Sequence, residues 1–265
     1  MLNQKIKDNW KWILIPIILI AELLIDDYVM PHVYKFVFHL FAFNPVQHFY
    51  TYLNIYKIVS ILVICLLNYW IIKQKIFFKP SETKVGWLVF LVVCFTIVLT
   101  CFTHKNFWIA LDVGAIAALP EELMFRGIIL AFVLKLMTRK STDQWRVITS
   151  LVISALIFGG FHYINLTSQS FGFTSFQVVN AAALGMLLGA VYIKSGTIIV
   201  PMALHFIYDF LVTLIKGMSA TNYTNVQTNQ WWGLSLYVLI YSIVAVSIIN
   251  HKPSDNKLLS KINKF

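Results

Sequence analysis

The chain reads as an all-α protein, a bundle of about eight transmembrane helices, and three observations predict it. Of its 265 residues 59% are hydrophobic and only 12% charged, with a mean hydropathy of +0.75. Soluble domains carry about 25% charged residues, so lipid must be part of this protein's solvent. Apolar runs long enough to cross a bilayer recur along the sequence, near 12–30, 54–72, 86–103, 108–134, 147–165, 176–194, 197–216 and 231–250. The basic residues alternate in density between successive connections, as the positive-inside rule requires.

The first run, preceded by Lys5, Lys7 and Lys11, resembles a signal peptide, but no small-x-small cleavage site follows and Asp26-Asp27-Tyr28 continues it, so a retained helix is expected. The residues from Pro31 to Asn54 are rich in aromatics (Tyr34, Phe36, Phe38, Phe41, Phe43, Phe49, Tyr50, Tyr52), interrupted by Pro45, and suit an interfacial helix in the outer leaflet. Their histidines, His32, His39 and His48, lack the i, i+4 spacing of a helical metal site. The fourth run is long and holds Pro120, Glu121, Glu122 and Arg126 in its interior. The sixth carries Gly185 and Gly189, four apart, which lets helices approach closely in lipid. No internal repeat or soluble domain is evident, so residues 1–265 are expected to form one membrane domain with a motif-bearing core at about 108–216.

With a cytoplasmic N-terminus, the inner segments hold Lys5, Lys7, Lys11, Lys73, Lys75, Lys79, Lys84, Lys135, Arg139, Lys140, Arg146, Lys194, Lys252, Lys257, Lys261 and Lys264. The outer ones hold only Lys35, Lys57, Lys105 and Lys216. Both termini are therefore expected on the cytoplasmic side. The formal charge of +10 is spread over short loops and forms no patch for nucleic acid. Cys65, Cys94 and Cys101 are odd in number and lie in or beside apolar runs, which predicts buried free thiols and no disulfide framework. Asn165-Leu166-Thr167 and Asn222-Tyr223-Thr224 match a glycosylation triplet that arises often by chance.

Chemistry is to be sought in the polar groups that lipid should have excluded. A charge at mid-bilayer costs at least about 2.5–3.5 kcal/mol on insertion scales. Glu121, Glu122 and Arg126 interrupt the fourth span, His162 ends the fifth, Asn180 sits in the sixth, and His205 with Asp209 in the seventh. Glu122 and Arg126 are i, i+4 and can pair, while Glu121 is turned about 100° away and is left for another role. His205 and Asp209 are also i, i+4, which puts an imidazole and a carboxylate on one face. Gly159 and Gly160 precede His162 and allow close backbone approach beside it. Asn180 and Asp112 read as packing or channel-lining groups. Helix rise sets Glu121 and His205 near mid-span and His162 toward the outer side.

Such a set supports hydrolysis. A desolvated carboxylate is a useful general base near neutral pH. A histidine can help hold and deprotonate the water, and a second can stabilise the oxyanion. Alternatively, Glu121, His162, His205 and Asp209 could ligate a divalent metal such as zinc. No serine or cysteine is evidently paired with a base.

Glu121-Glu122-Leu123-Met124-Phe125-Arg126 matches Glu-Glu-x-x-x-Arg, Phe158 to His162 matches Phe-x-x-x-His, and His205 to Asp209 matches His-x-x-x-Asp/Asn. In this order, on separate spans, the motifs resemble the CAAX protease and bacteriocin-processing family (CPBP, or Abi) of intramembrane endopeptidases. The resemblance implies that Glu121 activates the hydrolytic water with His162, that His205 and Asp209 complete the site, and that Glu122 and Arg126 support it. Relatives often have asparagine where Asp209 stands; an ionised aspartate cannot donate to an oxyanion as an amide does. The family is often labelled metalloprotease, though a metal-free, glutamate-activated water is also argued for it. The implied substrate is a membrane-associated peptide or protein, in the plasma membrane of a bacterium to judge by the lysine, isoleucine and asparagine bias. Two other functions fit a polytopic protein: a non-catalytic immunity or regulatory offshoot, which predicts decayed motifs, and a transporter, which predicts repeated halves.

Overall fold

The computed structural model describes residues 10–42, 44, 48–80, 84–217, 226–249 and 252–262. Every regular element among them is helical, and the contacts divide the chain into two units, Met1–Lys75 and Ile76–Phe265. Five helical stretches are long and apolar enough to cross a membrane: Tyr50–Ile72, Gln144–Thr167, Phe171–Ser195, Ile199–Lys216 and Thr228–Ile248. Their side chains match the solvent that composition demands. Leu88, Val92 and Phe95, or Leu236, Ile240 and Ile243, are large, apolar and exposed in runs that water would not tolerate. The protein is a polytopic bundle of membrane helices.

In the first unit, a 3-10 turn (Trp10–Ile13) leads into α1 (Leu14–Leu24), a π segment (Ile25–Val29) and α2 (Met30–Leu40), continuous over 14–40. Carboxylates at Glu22, Asp26 and Asp27 make this helix too charged to pass as a simple span. Asp26 is buried and accepts hydrogen bonds from Tyr56 Oη (3.0 Å) and Ser60 Oγ (3.2 Å) on α3 (Phe49–Leu67). The stretch expected at 31–54 as a helix of its own is instead continuous with the first helix over 31–40. Met30, Tyr34 and Phe38 recur every four residues and pack inward against Tyr52 and Tyr56 of α3. Phe43, Pro45 and the Phe49 side chain lie outside the described residues. A π segment (Asn68–Ile72) ends α3.

The second unit comprises α4 (Lys84–Thr100), α5 (Phe107–Glu121), a nine-residue π segment (Glu122–Leu130), α6 (Ala131–Thr138), α7 (Gln144–Phe161), a 3-10 segment (His162–Thr167), α8 (Phe171–Ser195), α9 (Ile199–Lys216) and α10 (Thr228–Ile248). A short C-terminal helix, α11 (Lys257–Ile262), follows. Helix α5 packs along α9, α7 along α8, and α8 along α10. Glycines set two of these approaches. A Cβ on Gly114 of α5 would stand 2.9 Å from the Phe206 carbonyl of α9, and one on Gly159 of α7 would stand 2.6 Å from the Val178 carbonyl of α8. Gly160, expected to serve the same end, faces open space, whereas Gly185 and Gly189 do meet α7, at Phe158 and Leu151. From α11, Lys261 Nζ donates to the carbonyls of Lys79 (2.8 Å) and Gly196 (2.7 Å), and burial lowers its pKa.

The cysteines are free, as their odd number predicts, but none is buried: Cys65 is exposed, Cys94 and Cys101 half-buried. An apolar run in lipid need not face inward, which is why burial did not follow from hydropathy. Asn165 spends its amide on Gln177 (3.0 Å); the Asn222 triplet lies outside the described residues.

Candidate active site

Pro120 shapes the first element of the site. A proline inside a helix removes one N–H and crowds the carbonyl four residues back, and the backbone register changes two residues later, at Glu122. Every residue of the π segment Glu122–Leu130 is buried. Ser154 of α7 donates to the Phe125 carbonyl within it (3.2 Å), bracing the altered ladder from outside. π segments of this kind gather at functional sites.

Glu122 and Arg126 form the expected ion pair, 2.8 Å long, with side chains 0% and 1% exposed. Neither sequence spacing nor motif shows what else Glu122 does. The same oxygen, Oε1, accepts from His205 Nδ1 at 2.8 Å, joining the π segment to α9 across 83 positions. Since a carboxylate oxygen only accepts, Nδ1 carries the hydrogen, and Nε2 is the nitrogen turned toward chemistry. Nε2 lies 3.3 Å from Asp209 Oδ2 and 3.9 Å from Glu121 Oε2.

The exposures arrange these groups in depth. Glu122 and Arg126 are sealed, His205 is 4% exposed, and Glu121 and Asp209 are 29% and 23% exposed. The floor is a buried ion pair, the middle an oriented imidazole, and the open side two carboxylates. Three carboxylates thus surround one imidazole and one guanidinium.

His162 is held differently. Its Nδ1 lies 2.9 Å from the Phe158 carbonyl of its own helix end, and its ring stands on edge to Phe158 at 5.0 Å between centroids. A carbonyl only accepts, so Nδ1 donates and Nε2 is the nitrogen left for other partners. His205 meets the same phenyl ring at 6.2 Å, and the Arg126 guanidinium lies over it at 4.1 Å. Phe158 thus touches both histidines and the buried cation. Sequence reasoning placed it in a motif without giving it work; its spacing of four before His162 was the only signal.

Asn180 joins α8 to α9 through Tyr208 Oη (3.2 Å). Among the described residues, no three His, Cys, Asp or Glu side chains are arranged to hold a metal ion. The set Glu121, His162, His205 and Asp209 therefore does not fit the zinc alternative as placed. Both nitrogens of His205 face carboxylates, and His162 approaches through a phenyl ring.

Residues 87–211 match the family model described as type II CAAX prenyl endopeptidase Rce1-like. This region belongs to the CAAX protease family. No curated protein and no solved structure matches the chain. The CAAX protease region covers a little under half of the sequence, yet it contains Glu121, Glu122, Arg126, His162, His205 and Asp209 together. It begins within α4 and ends within α9, so α10, α11 and the whole first unit lie outside it.

Proposed function

We propose that this chain is an intramembrane endopeptidase that hydrolyses membrane-associated peptides or proteins with a water activated by Glu121 and His162. The observation that carries this reading is the convergence on His205. Its Nδ1 is fixed by sealed Glu122, while its Nε2 faces the two half-buried carboxylates, Glu121 and Asp209.

Glu121 takes a proton from water as the oxygen attacks the peptide carbonyl, with the lone pair of His162 Nε2 holding the second hydrogen. The developing oxyanion draws the His205 Nε2–H away from Asp209, an interaction stronger in the transition state than in the ground state. The C–N bond breaks as protonated Glu121 returns its proton to the leaving amine. Asp209 keeps His205 protonated and oriented between turnovers. Glu122 and Arg126 hold the floor and do not touch substrate.

The lysine, isoleucine and asparagine bias and short loops favour a bacterial plasma membrane, and the placement of the lysines favours cytoplasmic termini, the whole chain acting as one membrane domain. In that setting a prenylated substrate is not expected, and short membrane-bound precursors or leader peptides suit the site better. A non-catalytic offshoot would not need two partly accessible carboxylates around one imidazole.

The test is cleavage of a membrane-associated peptide by purified full-length protein, compared with Glu121→Ala and His205→Ala. Each variant should lose about 10³-fold or more in kcat; equal activity in all three would overturn the assignment. Wild-type activity should survive a chelator. Loss that zinc restores would put a metal where protons are drawn here.

A further inference from the structure

Helix α8 supplies no catalytic group, yet two of its amides reach the elements that do. Gln177 Oε1 accepts from Asn165 Nδ2 (3.0 Å) in the 3-10 segment that begins at His162. One turn further on, Asn180 Nδ2 donates to Tyr208 Oη (3.2 Å) on α9. Both helices are long and apolar enough to cross the membrane, where hydrocarbon offers polar groups no partner. The bond between Asn180 and Tyr208 satisfies each only in part. Asn180 has spent an N–H and keeps Oδ1 as an acceptor, while Tyr208 has spent a lone pair and keeps its O–H as a donor. Both side chains are half-buried, and among the described residues no other hydrogen bond engages either.

Helix geometry sets where this pair stands. At about 100° per residue, Tyr208 lies about 60° to one side of His205 on α9 and Asp209 about 40° to the other. Phe206 and Phe210 hold the opposite side of α9 against Gly114 and Phe107 of α5. On α8, Val178 and Ala182 meet Gly159 of α7, and Asn180, midway between them in sequence, lies on the other side. There Phe176 packs edge-on to Trp231 of α10 (5.4 Å between centroids), and Tyr241 of α10 interacts electrostatically with Tyr208. The pair thus flanks the catalytic imidazole on the side of α8 and α10.

We infer that Asn180 and Tyr208 bind the backbone of one extended substrate residue, whose C=O accepts from Tyr208 Oη and whose N–H donates to Asn180 Oδ1. This rests on the endopeptidase reading above. A membrane helix must unwind before its peptide bonds can be attacked, and the N–H and C=O groups so released need partners within the membrane. The N–H and C=O of one residue in a strand lie on the same side, so an adjacent acceptor and donor match them. Tyr208 lies one turn along α9 from His205. At about 3.3 Å per extended residue, the pair meets a residue about two or three positions from the scissile bond.

Binding and cleavage are measured separately. A fluorescein-labelled leucine/alanine peptide of about 20 residues, with a central Gly-Ser break, is titrated by fluorescence anisotropy against full-length Glu121→Gln protein in detergent. Companion peptides carry a single backbone ester, which removes one N–H, at each central position in turn. At one position the ester should weaken binding about fivefold, the effect of one hydrogen bond, and adding Asn180→Ala should abolish that difference. Tyr208→Phe should weaken the all-amide peptide about fivefold and, with Glu121 intact, raise KM about fivefold at unchanged kcat. Gln177→Ala, which releases Asn165 and spares the pair, should keep the ester effect. Equal affinity for all the peptides, an ester loss that persists in Asn180→Ala, or Tyr208→Phe binding like its parent would overturn the proposal. Wild-type protein that binds with the expected pattern and cleaves nothing would instead overturn the endopeptidase reading and leave this binding site standing.

Discussion

Glu121 and Glu122 are neighbours in sequence with opposite surroundings. Glu122 is sealed and bonded to both Arg126 and His205, whereas Glu121 is 29% exposed and bonded to neither cation closely. Isosteric substitution should therefore separate their roles. Glu122→Gln leaves the Arg126 guanidinium buried without its countercharge, which costs about 3–5 kcal/mol, and should lower the thermal unfolding midpoint sharply. Glu121→Gln should leave the unfolding free energy within about 1 kcal/mol of wild type while abolishing turnover. Asp209 allows a complementary test. An amide can still hydrogen-bond His205 Nε2, so Asp209→Asn should retain kcat within about tenfold; a loss near 10³-fold would make the carboxylate itself part of the proton path. At this scale the i, i+4 pairs were legible, because helix geometry alone brings Glu122 to Arg126 and His205 to Asp209. The bond from Glu122 to His205 was not, since no local periodicity links residues 83 positions apart. Nor was the part played by Phe158, whose three contacts come from three different elements.

Among the elements, helix positions followed from hydropathy with small differences in extent, and the departures have physical causes. The π register after Pro120 escapes a hydropathy argument because it changes backbone bonding without changing which residues are apolar. In the aromatic stretch after Pro31, composition counts rings without assigning faces. The four-residue spacing of Met30, Tyr34 and Phe38, once seen against Tyr52 and Tyr56, explains why it packs inward. The glycine pair before His162 likewise divides. Gly159→Ala would drive a methyl to 2.6 Å from the Val178 carbonyl and 2.8 Å from Ala182. Forcing α7 from α8 should destabilise by about 1–3 kcal/mol and lower activity by shifting Phe158 and His162. Gly160→Ala meets nothing within 4 Å and should stabilise by up to about 1 kcal/mol, the usual helix gain of alanine over glycine. Thermal denaturation of the two variants in one detergent should thus move in opposite directions.

For the molecule as a whole, composition alone required a membrane, and the exposed apolar faces of α4 and α10 meet that requirement. Charge criteria for a span fail where the chain carries Glu22, Asp26 and Asp27, or Glu121, Glu122 and Arg126. The polar groups that make a helix unlike an ordinary span are the ones that point to its chemistry. The division of the chain into two units did not follow from composition, since apolar runs recur through both. Orientation remains a matter of lysine placement, and labelling measures it directly. In a chain whose Cys65, Cys94 and Cys101 are replaced by alanine, Lys140→Cys should react with an impermeant maleimide only from the cytoplasmic side. Labelling from outside would invert the topology.

The central claim is that Glu121 and His162 act on one water. Kinetics of Glu121→Gln, His162→Gln and the double variant measure this directly, with purified protein and a single peptide substrate. Two groups serving one event lose their effect together, so the double variant should be no slower than the worse single variant, each single loss being about 10³-fold. Losses that multiply, or a His162 variant as fast as wild type, would contradict the account.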